Sequence, residues 1–235
     1  MAKKGYFLVA DVLGFGRMIL NAPEGNLDER IIEWVSFVQS SAKAANIESF
    51  QLISDTVFAS APPSAEGLNS LIQFSQLLIA DGLARFFPIR GAIVYGDFEW
   101  GDLTYGRAVV QAHDLEMSQN WIGIACEPGM PNVSAHWHLD KLVCYIPPKK
   151  RGLVQAGPVV SWPVPPTEEL VSLIMKSNSV KDGESLSWEI MEKISNTIQF
   201  RLYVQVLRQT GSSPSEFHGF FPAHALDHLL SKTSS

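Results

Sequence analysis

The sequence predicts an α+β domain, a mainly antiparallel sheet with helices packed on one face. Three observations lead there. Short β-rich apolar runs alternate with segments of helical periodicity, in the order β-α-β-β-α-β-loop-α-β. Two of the strand-like runs are separated only by Ser54-Asp55, which reads as a tight hairpin and hence an antiparallel pair. The 235 residues are 46% hydrophobic and 18% charged, enough apolar side chain for a sizeable core and too much for global disorder.

Residues 6 to 12 read as a buried strand. A loop with Pro23 and Gly25 covers Asn21 to Asp28. Ile31, Val35, Val38, Ala42 and Ala45 then recur at helical spacing, with Asp28 placed as N-cap. The hairpin strands are 49 to 53 and 56 to 60. After the break at Pro62-Pro63-Ser64, Leu68, Leu71, Ile72, Ser75, Leu78 and Ile79 outline a second helix. Residues 89 to 95 form the next strand, closed by Gly96-Asp97. Tyr105-Gly106 precedes a third helix holding Val109, Ala112, Leu115 and Glu116. Residues 122 to 126 and 142 to 146 are further strands, and 159 to 164 is a short one interrupted by Pro163. A long helix spans 185 to 209, and the Ser- and Pro-rich tail frays over 231 to 235. Residues 1–147 form the core and 148–235 a C-terminal helical extension of the same domain. The order is close to a ferredoxin-like core.

The net charge of -6 argues against nucleic acid or an anionic membrane surface as partner. No apolar run reaches the roughly 18 residues that span a bilayer. No apolar leader follows Lys3-Lys4, so a cytoplasmic protein is expected. Cys126 and Cys144 lie in apolar segments and read as reduced thiols.

Two aspartates occupy matching places. Asp11 closes the run from Tyr6, and Asp55 closes the run from Phe50. Two carboxylates at one sheet edge are hard oxygen ligands for divalent metal, which suits a phosphate-bearing substrate. Gly14 and Gly16 let the following turn approach such a substrate closely. Plainer readings stand beside these. A strand-terminal Asp is commonly a turn former. His136 and His138 alternate without a third ligand of matching spacing and read as loop residues. Lys149-Lys150-Arg151 reads as an exposed turn. Trp188, Met191, Ile194, Ile198, Leu202 and Val206 read as a packing or dimer face.

Ala10-Asp11-Val12-Leu13-Gly14-Phe15 resembles the first-strand metal motif of class III nucleotidyl cyclases. Ile53 to Ala59 resembles that family's hairpin with the second metal aspartate, and Ile89 to Gly96 its next core strand. Tyr105 to Val109 and Ala112 to Glu116 resemble the helix behind the site. The resemblance covers residues 5 to 127. It implies that catalytic Asp11 and Asp55 share two Mn²⁺ or Mg²⁺ ions, that the Val12 carbonyl adds a ligand, and that Gly14 and Phe15 lie at the substrate. Such a site acidifies the ribose 3′-hydroxyl for attack on the α-phosphorus while pyrophosphate leaves.

The departures narrow the reading. The positions that carry Asn and Arg in the usual adenylate and guanylate cyclases hold Val110 and Asp114. Ser54 replaces a glycine, and the purine-reading positions fall at Gln51 and near Leu103. With the Arg90-Gly91-Ala92-Ile93 strand, this resembles the pyrimidine cyclases of bacterial anti-phage defence, the Pycsar type. The resemblance implies a homodimer acting on a pyrimidine nucleoside triphosphate, with UTP preferred and a separate effector reading the product. Gln51 shares a strand face with Asp55, and its amide both donates and accepts, which suits uracil or cytosine. Phe50 offers a ring for stacking. Arg17, Arg90 and Arg107 are the candidate cations in place of the missing Arg, with Arg90 assigned to substrate and also readable as structural. The alternatives are a cytidylate cyclase, an inactive nucleotide-binding module, and a phosphohydrolase or nucleotidyltransferase using the same carboxylates.

Overall fold

The computed structural model describes residues 3–21, 27–152, 154–178 and 186–218. The chain opens with β1 (Lys3–Val12), α1 (Phe15–Asn21), α2 (Leu27–Ala44), the hairpin β2 (Ser49–Ile53) and β3 (Thr56–Ala61), and α3 (Ala65–Ala84). It continues with β4 (Ile89–Phe98), α4 (Arg107–Ser118), β5 (Gly123–Cys126), β6 (Leu142–Tyr145) and β7 (Gly157–Val160). Helices α5 (Thr167–Ser177) and α6 (Trp188–Thr210) follow. The strands form one sheet in the order β2-β3-β1-β4-β5-β7-β6. All pairs are antiparallel except β4–β5, so the expected α+β, mainly antiparallel architecture is what is found. β7 comes after residue 147 and lies between β5 and β6.

The pleat of β1 divides the interior into two cores. A strand covered on both faces must be apolar at successive positions, and residues 5 to 10 are all buried. Tyr6, Leu8 and Ala10 pack into the main core with Trp34 and Phe37 of α2 and with Leu68, Leu71 and Phe74 of α3. Phe7 and Val9 join Val94, Phe98, Ala108 and Ala112 in a smaller second core. Helix α4 therefore lies on the face opposite α2 and α3, which corrects the expectation of helices on one face only. Small residues allow this close packing: a Cβ on Gly96 would sit 3.4 Å from that of Ala108. The turn into α4 needs glycine at position 106, where φ is 137° and a Cβ would lie 2.7 Å from the Asp97 carbonyl oxygen.

Two helices were not foreseen. In α1, where a turn and then a loop were expected, Phe15 and Met18 reach the main core. Helix α5 follows the proline-rich run and starts with Glu168 and Glu169, which suit the positive end of its dipole. Asp28 lies within the first turn of α2 and does not cap it. The buried stripe of α2 is Trp34, Phe37, Val38, Ser41 and Ala42, while Ile31 is exposed. Residues 22–26 of the expected loop and the tail from 219 onward lie outside the described residues. Both cysteines are free. His136 binds the Ala65 carbonyl at 2.9 Å, and no cluster of three His, Cys, Asp or Glu residues suited to metal occurs among the described residues. No helix among them is long and apolar enough to cross a membrane.

Candidate functional site

Asp11 follows Phe7 and Val9 in the strand alternation, so it faces the side of the sheet that α4 covers. Its cross-strand partner on β4 is Arg90. Asp55 sits in the two-residue turn between β2 and β3. Ser54 beside it takes a left-handed conformation, φ 59°, where the family pattern has glycine. The buried Trp34 indole donates to the Ser54 carbonyl at 3.2 Å and ties the turn to α2. Thr56 donates its hydroxyl to Asp11 Oδ1 at 3.2 Å, so the hairpin and β1 are joined at the carboxylate itself.

The two aspartates act on each other. Burial, then the charge of Asp55, then that of Glu116 push the Asp11 carboxyl up to about 6, against the Thr56 hydrogen bond and Arg90. A carboxylate pair under mutual repulsion is what a divalent cation relieves. The donor set of Asp11, Asp55 and a neighbouring backbone carbonyl fits Mg²⁺ or Mn²⁺. Such ions take one or two carboxylates and fill the remaining positions with water and substrate phosphate oxygens.

Arg90 is buried and committed to α4. Its Nε lies 2.5 Å from Glu116 Oε1, Nη2 pairs with the same carboxylate, and Nη1 donates to the Gln119 carbonyl at 3.2 Å. Gln119 donates in turn to the Gly91 carbonyl at 2.8 Å and accepts from the Trp121 indole at 2.8 Å. The guanidinium borders the same cavity as Asp11, but its hydrogen bonds run to protein.

The remaining residues divide between the faces. Gln51 pairs with Phe58, whose ring packs against the second core, and so lies on the Asp11 side. Its amide nitrogen donates to the Gly101 carbonyl at 2.6 Å, and its oxygen accepts from Thr104 at 2.8 Å. Phe50 points the other way and packs against the main core. The side chains of Val12 and Phe15 are buried there too, leaving their backbones for any contact. Gly14, φ 83°, is exposed at the turn. Leu103 is 74% and Val110 60% exposed, and Asp114 and Arg107 are exposed on α4.

A cavity of about 290 Å³ adjoins Asp11. Its wall includes Gly14, Arg17, Arg90, Lys150, Asn178, Ser187, Glu189 and Lys193. Of these, Lys150 is exposed, as expected of the turn it belongs to, and the sequence gives Lys150, Lys193 and Ser187 no functional reading. The local pattern gives no sign of them, because the cavity is assembled from segments up to 182 positions apart. The one available hint was the basic run at 149 to 151 directly after the core.

No protein-family model matches the chain, and no curated protein matches it. Solved structures do resemble it. One is a bacterial light-regulated adenylyl cyclase, 17% identical, with TM-score 0.52, covering 75% of this chain and 99% of that one. Another is the adenylyl cyclase CyaB from P. aeruginosa, 17% identical, TM-score 0.50, covering 68% and 95%. A third is a dimeric guanylyl cyclase domain of a fusion protein from the aquatic fungus Blastocladiella emersonii, 13% identical, TM-score 0.51, covering 68% and 97%.

Proposed function

We propose, from the premise that this chain has the class III nucleotidyl cyclase fold, that it converts UTP to 3′,5′-cyclic UMP and pyrophosphate. The observation that carries the reading is the Asp11–Asp55 pair, two carboxylates at one end of the neighbouring strands β1 and β3, close enough for the Asp55 charge to act on Asp11, with Thr56 bonded to Asp11. Asp11, Asp55 and the Val12 carbonyl would hold two Mn²⁺ or Mg²⁺ ions, whose chemistry there would be to acidify the attacking hydroxyl and neutralise phosphate charge. In the reaction the ribose 3′-oxygen loses its proton and bonds to the α-phosphorus, and the bond from that phosphorus to the pyrophosphate oxygen breaks. The turn at Gly14 brings backbone N–H groups to the phosphates.

The pyrimidine preference is supported by Gln51, held on the Asp11 side by Gly101 and Thr104, and by Val110 and Asp114 where purine cyclases carry Asn and Arg. Action as a homodimer is supported by exposed Tyr105, Val110 and Met117 on and beside α4, an apolar surface that a second copy would cover. The anti-phage role and a separate effector rest on the family resemblance alone. The test is incubation with each of the four nucleoside triphosphates and Mn²⁺, followed by product analysis. Cyclic UMP is the expected product, and Asp55→Asn removes it. Cyclic CMP in its place would reassign the base. No cyclic product from any of the four would sink the cyclase reading.

A second reading is an inactive nucleotide-binding module, favoured by the commitment of Arg90 to Glu116. Calorimetry separates the two: nucleotide binding that ignores Mn²⁺, without turnover, supports the module.

A further inference from the structure

We propose that Lys193 of α6, together with Lys150 and Arg17, forms a clamp for the terminal phosphates of the substrate and for released pyrophosphate. The clamp rests on the cyclase reading for its substrate, and on the cavity beside Asp11 for its geometry.

Three cations from three separate segments converge on one wall: Arg17 on α1, Lys150 between β6 and β7, and Lys193 on α6. None of the three has a carboxylate within ion-pair distance among the described residues. Lys193 makes one hydrogen bond, 3.3 Å to the Glu189 carbonyl along its own helix. Burial, then Arg90, hold the ammonium groups of both Lys150 and Lys193 below the usual lysine range, and Lys193 adds to the effect on Lys150. Glu189 and Glu192 offset part of this at Lys193, and Glu116 part of it at Lys150, but none of them pairs with a clamp cation, and a polyanion bound among the three removes the remaining repulsion. Asp11 and Glu189 also border the cavity. Asp11 belongs to the carboxylate pair, and the Glu189 side chain is exposed at its edge.

A second feature points to the same occupant. Ser187 precedes the 23-residue helix α6, makes no side-chain cap bond, and has a buried Oγ without a partner among the described residues. An unpaired buried hydroxyl is rare in folded proteins. Here it lies on the cavity wall, six residues before Lys193, at the N-terminal end of a helix whose dipole favours an anion. The C-terminal extension thereby takes part in the site.

The test titrates inorganic tripolyphosphate into the full-length protein in EDTA, followed by calorimetry. Lys193→Gln and Lys150→Gln are each expected to weaken binding about tenfold, the loss of one charge-assisted contact. Lys193→Arg is expected to restore most of it, and Lys149→Gln, off the cavity wall, to leave it unchanged. In turnover assays Lys193→Gln should raise KM and weaken inhibition by pyrophosphate, with an unchanged melting temperature. Binding of tripolyphosphate that both glutamine variants leave intact would overturn the clamp, as would no binding at all. The two readings fail separately. Lysine-dependent tripolyphosphate binding without cyclic product removes the cyclase reading only. Turnover with unaltered KM and pyrophosphate inhibition in Lys193→Gln removes the clamp only.

Discussion

Arg90 and Asp11 are direct partners across β4 and β1, yet the guanidinium turns away from that carboxylate and pairs with Glu116 on α4. The guanidinium across the strand pair from Asp11 is thus paired with a second acid, and Glu116 itself adds to the upward push on Asp11. Neither Asp11 nor Asp55 pairs with a cation among the described residues.

Glu116→Gln is expected to destabilise the fold by about 3–5 kcal/mol, because it leaves Arg90 buried without its counter-charge. Replacing both partners, as Arg90→Met with Glu116→Leu, should recover most of that loss. Urea unfolding of the single and double variants measures both. A single variant within 1 kcal/mol of wild type, roughly the effect of a surface pair, would show that the pair contributes little.

Asp11 sets a pH dependence with a definite sign. Its folded carboxyl is pushed up to about 6 against an ordinary 3.8. The stability it contributes is therefore present in full below pH about 4 and lost as pH rises through about 6. In EDTA, Asp11→Asn should match wild type at pH 4 and exceed it at pH 8. The gain should be about 1–2 kcal/mol, after allowing for the partial exposure of the group. Thermal melts at the two pH values test it, and a variant less stable than wild type at pH 8 would contradict the assignment.

The same proton competes with metal. Mn²⁺ affinity should fall about tenfold between pH 7 and pH 5, because Asp11 must lose its proton to bind. Calorimetric titration at both values gives the ratio. A flat profile would place the metal elsewhere.

Gly106→Ala should lower stability by about 2 kcal/mol or more. The residue holds φ 137°, and an added methyl would lie 2.7 Å from both the Asp97 carbonyl oxygen and Phe98 Cα. Thermal unfolding reports the loss. Since this turn launches α4, weakened protection of the Ala108 and Ala112 amides from hydrogen exchange should accompany it.

What could be read from the chain was local. Asp11 and Asp55 stand out in the sequence because strands alternate with period two and end at polar residues. The same alternation puts Gln51 on the face of Asp55, and the observed pairing with Phe58 puts it on the Asp11 side. It also implies the opposite side for Phe50, and the ring packs there. Helix α1 escaped notice because seven residues give too few turns for a periodic stripe, and α5 because Pro163 to Pro166 look like a connection. Lys193 lies on a helix whose apolar positions read as packing, and no local signal says that its polar side closes over the end of β1. Trp34 is similar: it falls outside the stripe of Ile31, Val35, Val38, Ala42 and Ala45, and only the fold shows it buried with its indole holding the Ser54 carbonyl.

The place of β7 has a consequence for synthesis. A nascent chain released through residue 147 already holds β5 and β6, but the strand that belongs between them is still unmade. Until residue 160 emerges from the ribosome, both keep open edges of the kind that recruit a neighbouring chain. The Ile122 amide likewise waits for Thr197, 75 positions later. Fragments cut near residue 147 should therefore self-associate, and a partner fused to this protein is better attached before β1 than inserted between β6 and β7.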